Sequence, residues 1–288
     1  LSDLRFVLFE KAISPPCIVT MCLIPPDGKP IQYVCPKKRA TEEDFRQITV
    51  EPMDVNFVQI KEAIDEPWVW ATLMWGNRRD VSLIYNLKNK NSVAKAIDEK
   101  KALTRQGIIR GNRKQTNKAL DNKNVFLDVS FPKETFLVLN GDILPQKEEI
   151  KFHSKDSTNF DSFKPPQAFI KHSWQTENFR FSAAFIKSNN GTVCSRNYLN
   201  LHSEDLPFLK SAVLTYNSRF ATYYLLLTDG SFAFYRPQPA VDSFWQVPIP
   251  NVFEKCFDKL ELIGKNDKEK SLKKLDHIVF NAFGLNES

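Results

Sequence analysis

The feature that most constrains this fold is a series of short apolar runs separated by turn-forming residues such as Pro, Gly and Asn. The runs are rich in β-branched and aromatic residues, a pattern that predicts buried strands. In the run over residues 179–187 we expect Phe179 to face the core and Arg180 to face the opposite, partly polar side. The predicted strands cover residues 4–9, 17–24, 31–35, 108–109, 125–129, 136–139, 167–172, 179–187 and 231–235.

Other apolar residues recur at three- and four-residue spacing, which predicts helices. The clearest helix begins near Asp205 and carries Leu209, Tyr216 and Phe220 on one face as far as residue 228. Strands and helices together predict an α+β protein, and the 23 phenylalanines predict an aromatic core. Further helices are predicted over 67–103, with a break at Gly76, and from residue 251 to 283, with a break near 264–266 and Gly284 as the cap of the last helix.

Several classes of protein are excluded by what the sequence lacks. It contains no GxSxG, HExxH, P-loop or GxGxxG motif. The five cysteines form no CxxC pair, which argues against a zinc ribbon and fits a reducing compartment. No apolar stretch approaches the roughly 20 residues that span a bilayer. We therefore expect a cytoplasmic protein with no membrane partner.

The positive charge is concentrated in one segment. The net charge is +6, yet residues 100–118 alone contain seven basic residues and no acidic one. Subtracting these seven leaves the other 269 residues at −1. A basic segment on a nearly neutral protein predicts contact with a phosphate backbone, although a solvated surface without a ligand is the alternative. The predicted phosphate or groove contacts are Arg105, Arg110, Arg113 and Lys114.

Three segments resemble one protein family. Residues 203–250 combine a helix carrying TYNS, an apolar YYLLLT continuation, a Ser-Phe turn and a closing PIP. Residues 164–171 read KPPQAFIK, and residues 275–285 read LDHIVFNAFGL, with Phe283 where Tyr is usual. This combination resembles the target-recognition region of bacterial adenine-N6 DNA methyltransferases from restriction–modification systems. The resemblance is close over 164–285 and loose over 90–160.

The resemblance implies a division of the chain into four segments. Residues 1–60 would be the last strands of the methyltransferase catalytic fold and 61–103 a helical linker. Residues 104–250 would be a strand-rich DNA target-recognition domain, and 251–288 would be closing helices. Base contacts would come from Lys171, His172, Arg180, Ser231, Phe232, Tyr235 and Arg236.

The same resemblance implies which parts of the enzyme lie elsewhere. The family's cofactor turn and its Asn-Pro-Pro-Tyr-type catalytic loop have no counterpart here and would precede Leu1. We therefore expect duplex DNA and an upstream methyltransferase domain of the same parent chain as partners. S-adenosylmethionine would be the cofactor of that parent, and this chain would hold no cofactor and no catalytic residue. Whether the parent also cleaves DNA stays open.

Two other classes remain as alternatives. One is a stand-alone specificity subunit of a multi-subunit restriction system, although such subunits join two recognition domains by coiled coils and no sustained heptad is present. The other is an RNA-binding or protein-interaction module in which the basic segment binds a different polyanion.

The missing motifs generate the first prediction. The chain alone should transfer no methyl group to DNA and should bind no S-adenosylmethionine. Calorimetric titration with the cofactor is the measurement, and a stoichiometric heat at micromolar affinity would contradict the expectation.

Overall fold

The computed structural model describes residues 19–20, 28–36, 50–109, 114–116, 123–147, 151–153, 160–233, 237–250 and 254–285. These residues mix helices with several small sheets, so the predicted α+β class is confirmed. The strands predicted at 4–9 and 17–24 lie outside the described residues, apart from residues 19–20.

The strands are β1 (Ile31–Val34), β2 (Val55–Val58), β3 (Leu103–Gln106), β4 (Lys114–Thr116), β5 (Lys123–Phe126), β6 (Val138–Asn140), β7 (Gln146–Lys147), β8 (Lys151–His153), β9 (Gln167–Lys171), β10 (Ala183–Lys187), β11 (Thr192–Cys194) and β12 (Tyr198–His202). The helices are α1 (Ile60–Asp65), α2 (Trp68–Trp75), α3 (Arg78–Lys88), α4 (Val93–Glu99), α5 (Leu206–Asn217), α6 (Arg219–Thr228), α7 (Val241–Trp245), α8 (Glu254–Asn266) and α9 (Lys268–Ala282). Single 3-10 turns occur at Pro52–Asp54, Gly141–Ile143 and Asp161–Phe163.

The chain forms two compact units. Unit 1 comprises residues 1–89 and 224–243, and unit 2 comprises residues 90–223 and 244–288. The four segments predicted from the family resemblance are defined by function, which the fold does not test, so those boundaries stay predictions.

Unit 1 contains a two-stranded sheet and a buried helix. Strands β1 and β2 pair antiparallel, with Ile31 opposite Val58. The Tyr33 ring packs edge-on against Trp70 at 5.4 Å between ring centres. In α2 the Thr72 hydroxyl donates a hydrogen bond to the Leu227 carbonyl at 2.7 Å. Within unit 1, a buried hydrogen bond therefore joins the segment 224–243 to the segment 1–89.

Unit 2 is organised by a five-stranded sheet in the order β3-β12-β9-β10-β6. The inner strands β9 and β12 are buried on both faces, which explains their nearly continuous apolar sequence. Gln167 on β9 and Asn200 on β12 are buried polar exceptions: the Gln167 amide donates to the Thr192 carbonyl at 2.9 Å and to Asn200 Oδ1 at 3.0 Å. These bonds satisfy a fully buried amide, as an interior position requires. The large buried side chains are mostly Phe and Tyr, so the predicted aromatic core is confirmed.

The strand predicted over 179–187 is shorter and differently oriented than expected. Strand β10 begins only at Ala183 and lies between β9 and β6, with Ala183, Ala184 and Ile186 all buried. Since both of its faces are covered, alternation of core and polar residues does not apply. Phe179 is outside the strand, at φ +56°, and its side chain is 56% exposed. Its predicted core position is therefore wrong.

The helix predicted from Asp205 to residue 228 begins where expected but is broken. The Asp205 carboxylate caps α5 by accepting the Phe208 N–H at 2.9 Å. At Ser218 the backbone is extended (φ −85°, ψ 155°), and α6 starts at the next residue. The Asn217 side chain donates to the Val213 carbonyl at 2.8 Å and the Ser218 hydroxyl to Thr215, so polar side chains replace backbone bonds at the break.

The C-terminal helices follow the predicted pattern. Asp267 separates α8 from α9 and caps α9 through the Lys270 N–H at 2.9 Å. Leu275 and Val279 of α9 are buried, and Gly284 has φ +72°, the left-handed conformation expected after a helix C-terminus.

A tight crossing in unit 2 generates the second prediction. A Cβ added at Gly107 would clash with the backbone carbonyl of Ser195. Gly107→Ala should therefore lower the free energy of unfolding by about 1–3 kcal/mol, because backbone must shift to admit the methyl group. Urea unfolding followed by circular dichroism measures the change. Gly230→Ala is the control, since nothing lies within 4 Å of its added Cβ; equal stability losses for the two variants would contradict the prediction.

Candidate nucleic-acid interface

Arg180 is an interior residue of unit 2, with a side chain only 3% exposed. Its guanidinium forms a bidentate pair with Asp276, at 2.6 Å from Nη1 to Oδ1 and 2.5 Å from Nη2 to Oδ2. Nη1 also donates to the Asn217 carbonyl at 3.0 Å. The prediction that Arg180 projects from an exposed strand face to contact bases is therefore wrong, because its side chain is buried and paired with Asp276.

The Asp276 carboxylate accepts hydrogen bonds from two residues. Besides the pair with Arg180, its Oδ1 accepts the backbone N–H of Arg219 at 2.9 Å. The carboxylate is 4% exposed. A buried carboxylate needs this combination of an opposite charge and further hydrogen bonds, since desolvation alone would make it costly.

A cavity of about 250 Å³ opens beside this ion pair. Three lysines line it: Lys133, Lys171 and Lys268. Lys171 Nζ lies 3.3 Å from Ser130 Oγ, and Lys268 Nζ lies 3.5 Å from the Thr135 carbonyl oxygen. Among the described residues that line the space, none is acidic. We call it the lysine cavity.

The lysine cavity has an excess of positive charge that the protein does not balance within its lining. Arg180 also lines the cavity, but its charge is compensated by Asp276 behind it. The three ammonium groups therefore remain to attract an anion from solvent, and a concave surface of one sign strengthens this attraction.

One wall of the lysine cavity is the hairpin between β9 and β10, residues 172–182. Its turn at 176–179 is closed by a hydrogen bond from the Gln175 N–H to the Arg180 carbonyl at 2.6 Å. Gln175 and Asn178 face the cavity. At the tip Phe179 is exposed and packs against Trp174, with ring centres 5.8 Å apart. Phe179 does not itself line the cavity, but its neighbours Asn178 and Arg180 do, so one hairpin carries both an exposed aromatic side chain and part of the cavity wall.

The other predicted base contacts of unit 2 have different positions. Lys171, at the end of β9, lines the lysine cavity. His172 is only 5% exposed and packs edge-on against Phe244 at 5.6 Å between ring centres. The backbone N–H of His172 donates to the Asn197 carbonyl at 2.9 Å. The prediction that His172 contacts bases is wrong, because its ring belongs to the core.

The predicted contacts over 231–236 belong to unit 1. Ser231 donates from N–H and hydroxyl to Asp229 Oδ1 at 2.9 and 2.7 Å, and Phe232 is fully buried. Burial opposes ionisation of Asp229, but bonds from Ser231 and from the Ala240 N–H hold its pKa below the ordinary value. Phe232 is therefore a core residue, which corrects its assignment as a base contact. Ser231 stabilises the loop through Asp229, and its base contact stays a prediction. Tyr235 and Arg236 lie outside the described residues.

The basic segment over 100–118 is described only in part. The Arg105 guanidinium stacks over the Phe160 ring at 4.1 Å, so it packs on the aromatic core. Lys100 pairs with Asp205 at 2.8 Å, and this bond and charge raise the pKa of Lys100. Lys114 lies in β4 opposite His153 of β8, and its side chain is outside the described part of the structure. Arg110 and Arg113 are also outside it, so their phosphate contacts stay predictions.

Lys133 and Lys268 are the functional candidates that sequence reasoning missed. Each is followed by Glu, so neither stands out as part of a basic segment. The fold brings them together with Lys171 from three distant segments, and no local pattern in the sequence signals this.

Comparison with known proteins adds no family assignment. No known family matches the chain, and no curated protein is significantly similar to it. Among the described residues, no group of three or more His, Cys, Asp or Glu side chains is arranged to hold a metal ion. Within the same residues, no helix is long and apolar enough to cross a bilayer.

The buried ion pair generates the third prediction. Asp276→Asn should lower the free energy of unfolding by about 3–5 kcal/mol, because it leaves the Arg180 charge buried without a counterion. Replacing both partners, Arg180→Met with Asp276→Leu, should recover part of the loss, since no charge then remains buried. Chemical denaturation measures both variants.

The control for this prediction lies on the same helix. Glu269 pairs with Lys273 on the exposed face of α9, and Glu269→Gln should leave stability unchanged, since solvent screens that pair. A loss for Asp276→Asn no larger than that for Glu269→Gln would contradict a structural role for the buried pair.

Proposed function

We propose that this chain is the sequence-reading region of an adenine-N6-specific DNA methyltransferase from a restriction–modification system, bound to duplex DNA through unit 2. The observation that carries the duplex-binding part of the proposal is the lysine cavity, with three lysines and no acidic residue among its described lining. The motifs over 164–171, 203–250 and 275–285 supply the resemblance to that family.

The chemistry of the lysine cavity suits a phosphodiester group. A backbone phosphate carries one negative charge and accepts hydrogen bonds, and each ammonium group offers charge and donors without demanding a base sequence. Such contacts fix the position of the protein on the duplex. The predicted contacts Arg110, Arg113 and Lys114 would extend this backbone binding.

The rest of the proposed reaction belongs to the parent enzyme. Methylation of adenine requires the base to leave the stack, so the surface that reads sequence must be separate from the pocket that holds the base. In this proposal the upstream methyltransferase domain supplies the catalytic loop and binds S-adenosylmethionine. The described chain supplies orientation on the duplex, in the cytoplasm where such a system would act.

The lysine cavity generates the fourth prediction. Replacing Lys133, Lys171 and Lys268 together with Gln should weaken duplex binding regardless of sequence. The slope of log affinity against log salt should flatten by up to about 3 units, because each lost phosphate contact removes about 0.9. Fluorescence anisotropy with a mixed-sequence duplex across a salt series measures this slope.

The matched control replaces three exposed lysines of unit 2 that do not line the cavity, Lys187, Lys259 and Lys274, again with Gln. This variant removes the same charge, but it should flatten the slope of log affinity against log salt much less than the cavity variant does. Equal slopes for the two triple variants would show that only net charge matters. Tighter binding to duplex RNA than to duplex DNA would instead favour the RNA-binding alternative.

A further inference from the structure

Phe179 combines two features that rarely coincide in a bulky residue. Its backbone is in the left-handed region at φ +56°, where a large side chain is strained. Its ring is also 56% exposed, so burial does not compensate the strain. Exposed apolar residues are common singly, but strain of this kind concentrates at functional sites.

The surrounding structure holds Phe179 firmly. The ring packs against Trp174, and the hydrogen bond between Gln175 and Arg180 closes the turn. Arg180, the residue that follows, is fixed by its bidentate pair with Asp276. A side chain anchored in this way keeps its orientation in the absence of a ligand, which lowers the entropic cost of binding.

The hairpin also faces the lysine cavity. Asn178, the neighbour of Phe179 in sequence, lines the cavity together with Lys171 and Lys268. Glu177 at the tip is exposed and does not line it. Phe179 does not line it either, but it lies between the lining residues Asn178 and Arg180. An exposed aromatic ring on the hairpin that forms one wall of a basic cavity matches the two parts of a nucleotide, an apolar base and a charged phosphate.

We infer that Phe179 stacks on a nucleobase of the DNA whose backbone phosphate occupies the lysine cavity. This inference rests on the proposed function. The ring would act as a wedge between two base pairs, and it contributes contact area rather than a sequence-specific hydrogen bond. Trp174 supports it from behind as a positioning residue.

The test compares two substitutions at position 179. Phe179→Asn removes the ring but suits the left-handed backbone better than Phe does, so folding should not suffer. Phe179→Tyr keeps the ring. The probes are a mixed-sequence duplex and the same duplex with a central abasic site, where a gap in the stack spares the cost of unstacking.

The expected results separate stacking from charge. The unmodified chain and Phe179→Tyr should prefer the abasic duplex. Phe179→Asn should lose this preference and bind on the order of tenfold more weakly, with an unchanged salt slope, because stacking does not release counterions. Phe57→Thr, which removes an equally exposed Phe from strand β2 of unit 1, should leave both affinity and preference unchanged.

Each contrary outcome has one meaning. If Phe179→Asn binds both probes like the unmodified chain while the triple lysine variant still flattens the slope, the inference is overturned and the proposed function stands. If the unmodified chain shows no salt-dependent binding to either duplex, the proposed function fails and the inference fails with it.

Discussion

The buried pair between Arg180 and Asp276 is the interaction on which the candidate site depends. Two full charges lie in the interior of unit 2, and their desolvation is offset only because the pair is bidentate and further bonds come from the Asn217 carbonyl and the Arg219 N–H. These bonds join the β9–β10 hairpin, the junction of α5 with α6, and α9. The hairpin is therefore held by a contact that cannot rearrange cheaply.

The break between α5 and α6 serves the same arrangement. The Asn217 side chain donates to the Ala183 carbonyl at 2.7 Å and accepts the Ala183 N–H at 3.3 Å, so it pairs with the first residue of β10 as a neighbouring strand would. An unbroken helix would use the Asn217 carbonyl internally rather than offer it to Arg180. Hydrogen bonds of Asn217 thus connect the helix break to the start of β10 and to the buried pair.

The proposed function rests on the side chains that this structure leaves at the surface. Lys133, Lys171 and Lys268 surround a cavity whose Arg180 is already neutralised, and Phe179 projects from the hairpin that forms its wall. A charged cavity and an exposed ring on one anchored element suit a ligand with both a phosphate and a base. Rigid support of this kind is what a recognition site needs to hold its contacts in place.

Local sequence patterns determined the α+β class, the aromatic core, the start of α5 at Asp205 and the end of α9 at Gly284, because caps and periodicity act over a few residues. They also singled out Lys171, which lines the lysine cavity, although its predicted base contact stays a prediction. Only the tertiary structure decided that Arg180, His172 and Phe232 are buried, and that Lys133 and Lys268 meet. The reason is distance along the chain: whether a charge can be buried depends on its partner, and the partner of Arg180 lies 96 residues away.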